Sequence, residues 1–386
     1  MSMRPPLPAG AAARGHEHRP DGVHLLRGAF VRRTPTAAEL AQRPPLALTA
    51  RDVQILTAIH THGFLTTELI ELAFFPAATD RRPARQPRRP CATRVYDRLR
   101  HLWLWGFLER VERPVARTLG GSYPVLYCLG ERGVAHVAVP AEQSTARIRR
   151  RRLDRLDHQF IEHDLKAAAL WAHLCAALRA AGLHRWSWTG ERDLRARHLG
   201  VVDPKTRRRL PFLPDGYFEI NYDYDPAGAG PAAGLSHRLV GSSTAAFADE
   251  ERRREGQRPM AIPSPSDTVQ ACLVEIDMGT LTLRRFRAKV RAFELALAQG
   301  LFAREWQRAT FEVLAPSAKR LGHLCHTARG EVPRDRWRWY SFASFEVLHA
   351  GTFGDYAWQT LDGQHVRLLY DQAFPDEANF QGAAGG

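Results

Sequence analysis

Two short apolar runs, each ending in acid, limit what this chain can fold into more than any other feature. In Leu213-Pro214-Asp215-Gly216-Tyr217-Phe218-Glu219-Ile220 the apolar lead-in reaches Pro214-Asp215, and Tyr217, Phe218 and Ile220 continue as strand formers. Asp215 therefore stands at the start of a strand rather than in a loose loop. In Ala271-Cys272-Leu273-Val274-Glu275-Ile276-Asp277 the near-continuous apolar run suits a strand covered on both faces. Side chains alternate along a strand, so Glu275 and Asp277 share one face. If the two strands pair, three carboxylates converge. Such a group repels itself unless a cation joins it, and an all-oxygen cluster suits Mg²⁺ or Mn²⁺, with Asp215 and Glu275 as the expected metal ligands.

Past Asp277, Gly279-Thr280 breaks the strand and Thr282 caps a helix running to about Gln299, whose apolar stripe is Phe286, Val290, Phe293 and Leu297. Lys289 flanks that stripe. A helix returning over its own strand carries it back above the sheet, where its long stem reaches the carboxylates. The expected catalytic set is Asp215, Glu275, Asp277 and Lys289. The bland alternative makes Asp215 a turn cap and the other acids ordinary strand ends. Pro20-Asp21-Gly22 and Pro375-Asp376, without strands around them, show how little the dipeptide means alone.

Upstream, Thr49 with Asp52 opens a helix that Gly63 ends, Thr66-Thr67 opens a second before Pro76, and Thr93 opens a third that Gly106 stops. Leu108 to Val111 and Val125 to Leu129 then read as a hairpin with a long tip. Three helices and a hairpin make a winged helix, whose third helix enters the major groove and whose tip touches the adjacent backbone. Arg94, Arg98 and Arg100 are the expected DNA contacts on that helix, with Arg113 and Arg117 on the wing. Arg81, Arg82, Arg85, Arg88 and Arg89 lie in a Pro-broken loop suited to phosphate contact rather than base reading.

The charge balance agrees: the chain carries a formal charge of +14 and a pI near 10.2, pointing to a polyanionic partner. No apolar run approaches a membrane span, so double-stranded DNA is expected and no membrane. Five scattered cysteines without C-x-x-C exclude a disulfide framework or zinc knuckle and fit a reducing compartment.

At 386 residues the chain has room for two domains. The expected division is a basic arm, disordered by composition, over 1–45; a DNA-binding winged helix over 46–140; an Arg-rich linker over 141–155; a mixed sheet flanked by helices over 156–350; and a hairpin and tail over 351–386. The stretch 224–268 reads as a mobile insertion. A long helix carrying Leu153, Leu156, Phe160, His163, Ala167, Trp171, Leu174 and Leu178 inward opens the second domain, and Trp186 to Glu191 is its first strand. His163 on this apolar face is first a core residue. His323, Cys325 and His326 lack the spacing of a metal site.

Asp215, then Glu-x-Asp, then a helical lysine resembles the PD-(D/E)xK nuclease core, in a variant whose lysine has moved from the strand to the next helix. The wider pattern, Pro-Asp-Gly, then Val-Glu-Ile-Asp-Met-Gly-Thr, then Lys289, behind a winged helix, resembles the bacterial replication-relaxation family of plasmids and mobile elements, over residues 46 to 315. The resemblance implies an α/β (α+β) chain: an N-terminal winged helix-turn-helix followed by a PD-(D/E)xK-like mixed sheet. It adds Glu162 and His163 on the first helix as further site candidates. It implies a bacterial, cytoplasmic protein associated with nucleoid or plasmid, working with plasmid replication, mobilisation or transposition proteins, with a homodimer as one arrangement. The expected activity is Mg²⁺- or Mn²⁺-dependent DNA nicking. Asp277 stands where nucleases of this class usually have lysine, which favours the alternative of a non-catalytic regulator or replication initiator. A nuclease subunit of a transposition or restriction complex is the third reading.

Overall fold

The computed structural model describes residues 17–18, 24–25, 31–75, 91–112, 124–138, 158–196, 200–221, 269–299, 309–348, 353 and 357–369. The five loop arginines Arg81, Arg82, Arg85, Arg88 and Arg89, the wing arginines Arg113 and Arg117, the linker 141–155, the insertion 224–268 and the tail from Pro375 lie outside these residues, as does most of the N-terminal arm.

After a short ladder of β1 (Glu17–His18) with β2 (His24–Leu25), the first unit contains β3 (Val31–Arg33), α1 (Ala37–Ala41), α2 (Ala50–His62), β4 (Leu65–Thr66) and α3 (Thr67–Phe74). It continues with α4 (Cys91–Leu104), the hairpin β5 (Leu108–Glu112) and β6 (Leu126–Leu129), and α5 (Glu131–Ala138). The caps are those that local chemistry dictates. Thr49 and Asp52 bond each other's backbone N–H at the start of α2, and Gly63, at φ +80°, ends it. The sheet order is β3-β5-β6-β4, antiparallel throughout.

Residues 31–45 depart from the expectation of a disordered arm. β3 pairs with β5, α1 has a complete capping box from Thr36 and Glu39, and two indoles pin the segment. Trp103 Nε1 donates to the Arg33 carbonyl (3.0 Å) and Trp105 Nε1 to the Pro44 carbonyl (2.8 Å), while the Arg43 guanidinium lies 4.2 Å from the Trp105 ring centre. The ordering partners are distant in sequence, so the segment's own composition does not register them.

The second unit opens with α6 (His158–Ala180), β7 (Trp186–Gly190), α7 (Glu191–Ala196) and the ribbon β8 (Gly200–Val202) with β9 (Arg209–Pro211). Then come β10 (Gly216–Asn221), β11 (Val269–Ile276), α8 (Leu283–Ala298), β12 (Ala309–Ala315), α9 (Ala318–Arg329), β13 (Tyr340–Ser344), β14 (Trp358–Thr360) and β15 (His365–Val366). Among the described residues these strands form a seven-stranded mixed sheet in the order β15-β14-β13-β12-β11-β10-β7. β10 is antiparallel to both β7 and β11, whereas β11, β12 and β13 run parallel. The two acid-ended runs therefore do pair, with Gly216 opposite Val274. The expected C-terminal hairpin is present, turning at Gly363, and it extends this same sheet rather than standing apart. The chain is mixed α/β, of the α+β kind.

Each face of the sheet is covered. α8 and α9 bury Phe286, Val290, Phe293 and Leu324 against Leu273, Phe311 and Val313. α6 covers the other face with Trp171, Leu174 and Leu178, and the same core continues into Ile55, Leu56, Ile70 and Leu99 of the winged unit. Burying a large apolar side chain contributes about 1.5–3 kcal/mol, so this shared core fixes the two units to one another. Phe160 does not belong to it: at 70% exposure it lies off the buried stripe, which begins with Ile161.

Candidate functional site

Asp215 cross-links two strands at their ends. Its N–H donates to the Val274 carbonyl (2.8 Å), and its Oδ2 accepts the N–H of Ile276 (2.7 Å). Gly216 follows for a steric reason: a Cβ there would lie 2.6 Å from the Trp188 ring of neighbouring β7. The Pro-Asp-Gly triplet is thus a strand entry, a shared carboxylate and a floor under a tryptophan.

From one face of the sheet, α6 brings His163, whose Nε2 lies 3.2 Å from Asp215 Oδ2. From the other, α8 brings Lys289, whose Nζ meets both carboxylate oxygens of Glu275 at 2.5 and 2.6 Å. Four of the expected residues, Asp215, Glu275, Lys289 and His163, thus meet at the ends of β10 and β11. Burial alone would lower the His163 imidazole, but hydrogen bonds to Asp164 and Asp215, with their charges, raise it to about 10. Burial would raise Asp215, yet the His163 hydrogen bond and the Lys289 charge hold it below the usual carboxylate range. Burial and the Asp215 charge push Glu275 up to about 8, and Lys289 is raised too, against its own burial, by the Glu275 and Asp215 charges. Burial and the Asp215 charge thus work against the ionised form of Glu275, while the Lys289 ammonium at both its oxygens favours it.

Asp277 does not join them. Past the end of β11 its N–H donates to the Leu314 carbonyl, Oδ1 accepts the Gly279 N–H (3.1 Å), and Oδ2 is held by Arg320 of α9. Alternation along the strand placed it on the right face, but the chain leaves the sheet there and an arginine remote in sequence takes the charge. Glu162 is also absent from the cluster, because it sits one position round α6 from His163; its charge acts on Lys166.

A donor group the strand pattern did not rank is His163, Glu191 and Asp215, each offering a ligand atom within 4.8 Å of the others. Glu191 is the first residue of α7, just past β7, and it also pairs with Arg195. Its signal in sequence is only an acid at the end of an aromatic strand. With its proton displaced by the ion, the His163 imidazole and two carboxylates on rigid elements fit a divalent cation, and an imidazole ligand shifts preference from Mg²⁺ toward Mn²⁺ and later transition ions. Glu275, expected as a ligand, has both oxygens against Lys289 instead.

On the winged unit Arg94 is exposed on α4, beside Tyr96 at 45% exposure. Arg98 turns inward: Nε bonds Asp52 Oδ1 (2.7 Å) and a terminal nitrogen bonds the Ala47 carbonyl (2.7 Å). It locks α4 to the start of α2 rather than pointing outward as expected, because Asp52, wholly buried in the α2 capping box, requires a counter-charge. Arg100 is half-buried, 4.0 Å from Glu39 of α1. No helix among the described residues is long and apolar enough to cross a membrane.

Compared with known proteins, residues 56–311 match the family model described as replication-relaxation. No curated protein and no solved structure matches the chain.

Proposed function

The chain belongs to the replication-relaxation family, and on that premise we propose that it nicks DNA of a plasmid or mobile element, the winged unit holding double-stranded DNA and the second unit hydrolysing one phosphodiester bond. Family membership carries the coarser statement, a role in replication or relaxation of such DNA. The observation that supports the finer one is the meeting of His163, Asp215, Glu275 and Lys289 at the ends of two paired strands, fed from helices on opposite faces of the sheet.

His163, Glu191 and Asp215 would hold Mn²⁺ or Mg²⁺, which when bound lowers the pKa of a coordinated water and polarises the phosphoryl oxygens. Asp215, tied to both strands, fixes the position of that ion relative to Glu275. Lys289, held in place by Glu275, stabilises the charge that builds on the phosphate oxygens during attack. Glu275 in its ionised form, a stronger base than an ordinary carboxylate because burial and the Asp215 charge raise its proton affinity, accepts the proton of the attacking water. Arg94 and Tyr96 on α4 face outward for DNA in the manner of a recognition helix.

A second reading has its own observation. The charges are neutralised in pairs, His163 with Asp215, Lys289 with Glu275 and Arg320 with Asp277, as in a structural ion network. On that reading the protein is a DNA-binding regulator or initiator. Supercoiled plasmid incubated with the protein and Mn²⁺ or Mg²⁺ separates the two. Open-circular product that disappears in Asp215→Ala and Lys289→Met supports the enzyme; retarded plasmid without nicking, in the wild type, supports the regulator.

A further inference from the structure

The candidate metal donors open into a cavity of about 460 Å³ between the C-terminal end of α2 and the second unit. Its wall includes His62 of α2, Trp188 of β7 and Phe160 of α6, and Arg192 and Arg195 contribute positive charge. Phe160 is a large aromatic left 70% exposed on a helix that otherwise buries its apolar side chains. His62 Nε2 and Trp188 Nε1 are buried, on residues only 7% and 3% exposed, without a hydrogen-bond partner among the described residues. Asp215, at the back of the cavity, has a side chain only 9% exposed, and Glu275 beyond it 3%, whereas Glu191 at the rim is 31% exposed.

We propose that this cavity receives an unpaired nucleotide, so that the protein acts on single-stranded or locally melted DNA rather than on an intact duplex. The proposal rests on the nicking reading for what happens to that nucleotide, and not for its binding.

A duplex is stiff over many base pairs, and its phosphates stay on the outside of a broad cylinder. Such a phosphate cannot approach acids this deeply set while its nucleotide stays stacked, whereas a strand that leaves the stack can thread inward. Unstacking an intact pair costs on the order of a hundredfold in affinity, and enzymes that require it recover the loss with aromatic stacking and polar contacts to the base edge. Phe160 offers the stacking surface, His62 and Trp188 the unsatisfied polar atoms in the wall, and the arginines a counter-charge for the backbone. A cavity of this size is of the class that encloses one small ligand.

The test is binding of fluorescein-labelled DNA, either fully paired or with a central run of unpaired thymines, read by anisotropy in Ca²⁺ so that cleavage does not enter. The bubbled DNA is expected to bind about tenfold more tightly, and Phe160→Ala to bring it to the level of the duplex, with Phe160→Trp retaining the preference. 2-Aminopurine placed in the bubble is expected to be quenched by the wild type and not by Phe160→Ala. Equal affinity for the two DNAs, or a preference that survives Phe160→Ala unchanged, overturns the proposal. The two readings fail separately. Preference for the bubble without nicking in Mn²⁺ removes the enzyme and keeps the nucleotide site; nicking of intact duplex without preference removes the site and keeps the enzyme.

Discussion

Replacing Arg320 by Met tests whether Asp277 belongs to the architecture or to the chemistry. The Asp277 side chain is fully buried and that of Arg320 only 17% exposed, so the variant leaves a buried carboxylate with the Gly279 N–H as its remaining donor at Oδ1. Breaking a buried pair from one side costs about 3–5 kcal/mol. The partial exposure of Arg320 and the surviving backbone donor bring the expected loss to the lower end, and the lost bond from Arg320 to the Leu281 carbonyl adds about 1 kcal/mol, for a total of about 3–4 kcal/mol. Asp277→Asn is expected to destabilise as well. The double variant Asp277→Asn with Arg320→Met is expected to fall within about 1 kcal/mol of Asp277→Asn alone, because no charge is then left buried, giving a coupling of about 2–3 kcal/mol. Urea unfolding of the four proteins at neutral pH reads the cycle, and plasmid nicking is scored at equal concentrations of folded protein. If Arg320→Met is as stable as the wild type, and Asp277→Asn abolishes nicking while folding normally, Asp277 belongs to the chemistry and not to the architecture.

Three other outcomes are expected. Glu312 of β12 is fully buried with one oxygen bonded to Thr310 and the other without a partner, and burial pushes its carboxyl from 4.5 up to about 8. The native state therefore binds more protons than the unfolded chain between those values, stability falls as pH rises through that window, and Glu312→Gln removes the fall; its advantage in urea unfolding should grow from little at pH 5 to on the order of 4 kcal/mol at pH 9. A difference that does not change with pH refutes this. Glu191→Ala should weaken Mn²⁺ binding in calorimetry by at least about tenfold while Glu275→Gln changes it less, and the reverse order would restore Glu275 as the ligand. Arg98→Ala should cost about 2–3 kcal/mol of stability by stranding Asp52, whereas Arg94→Ala should leave stability alone and weaken DNA binding in a salt-dependent way.

Local chemistry written in consecutive residues was enough to place most elements. The Thr49–Asp52 box, Gly63 and Thr66 bound their helices as read, and the two apolar runs became neighbouring strands of one sheet whose faces the helices cover. Alternation along β11 and the position of Lys289 on its helix were sufficient to bring Glu275 and Lys289 together, since a helix that follows a strand with a short connection has few ways to return. Decisions that depend on what arrives from elsewhere were beyond a local pattern. Arg320 takes Asp277, Asp52 takes Arg98, and Glu191 in place of Glu275 joins His163 and Asp215, each through a partner tens of residues away. The indoles that order residues 31–45 act in the same way. Periodicity states which face a side chain takes, whereas the charge it meets there is set by packing of remote segments, and a buried ionised group goes to whichever opposite charge packing brings within reach.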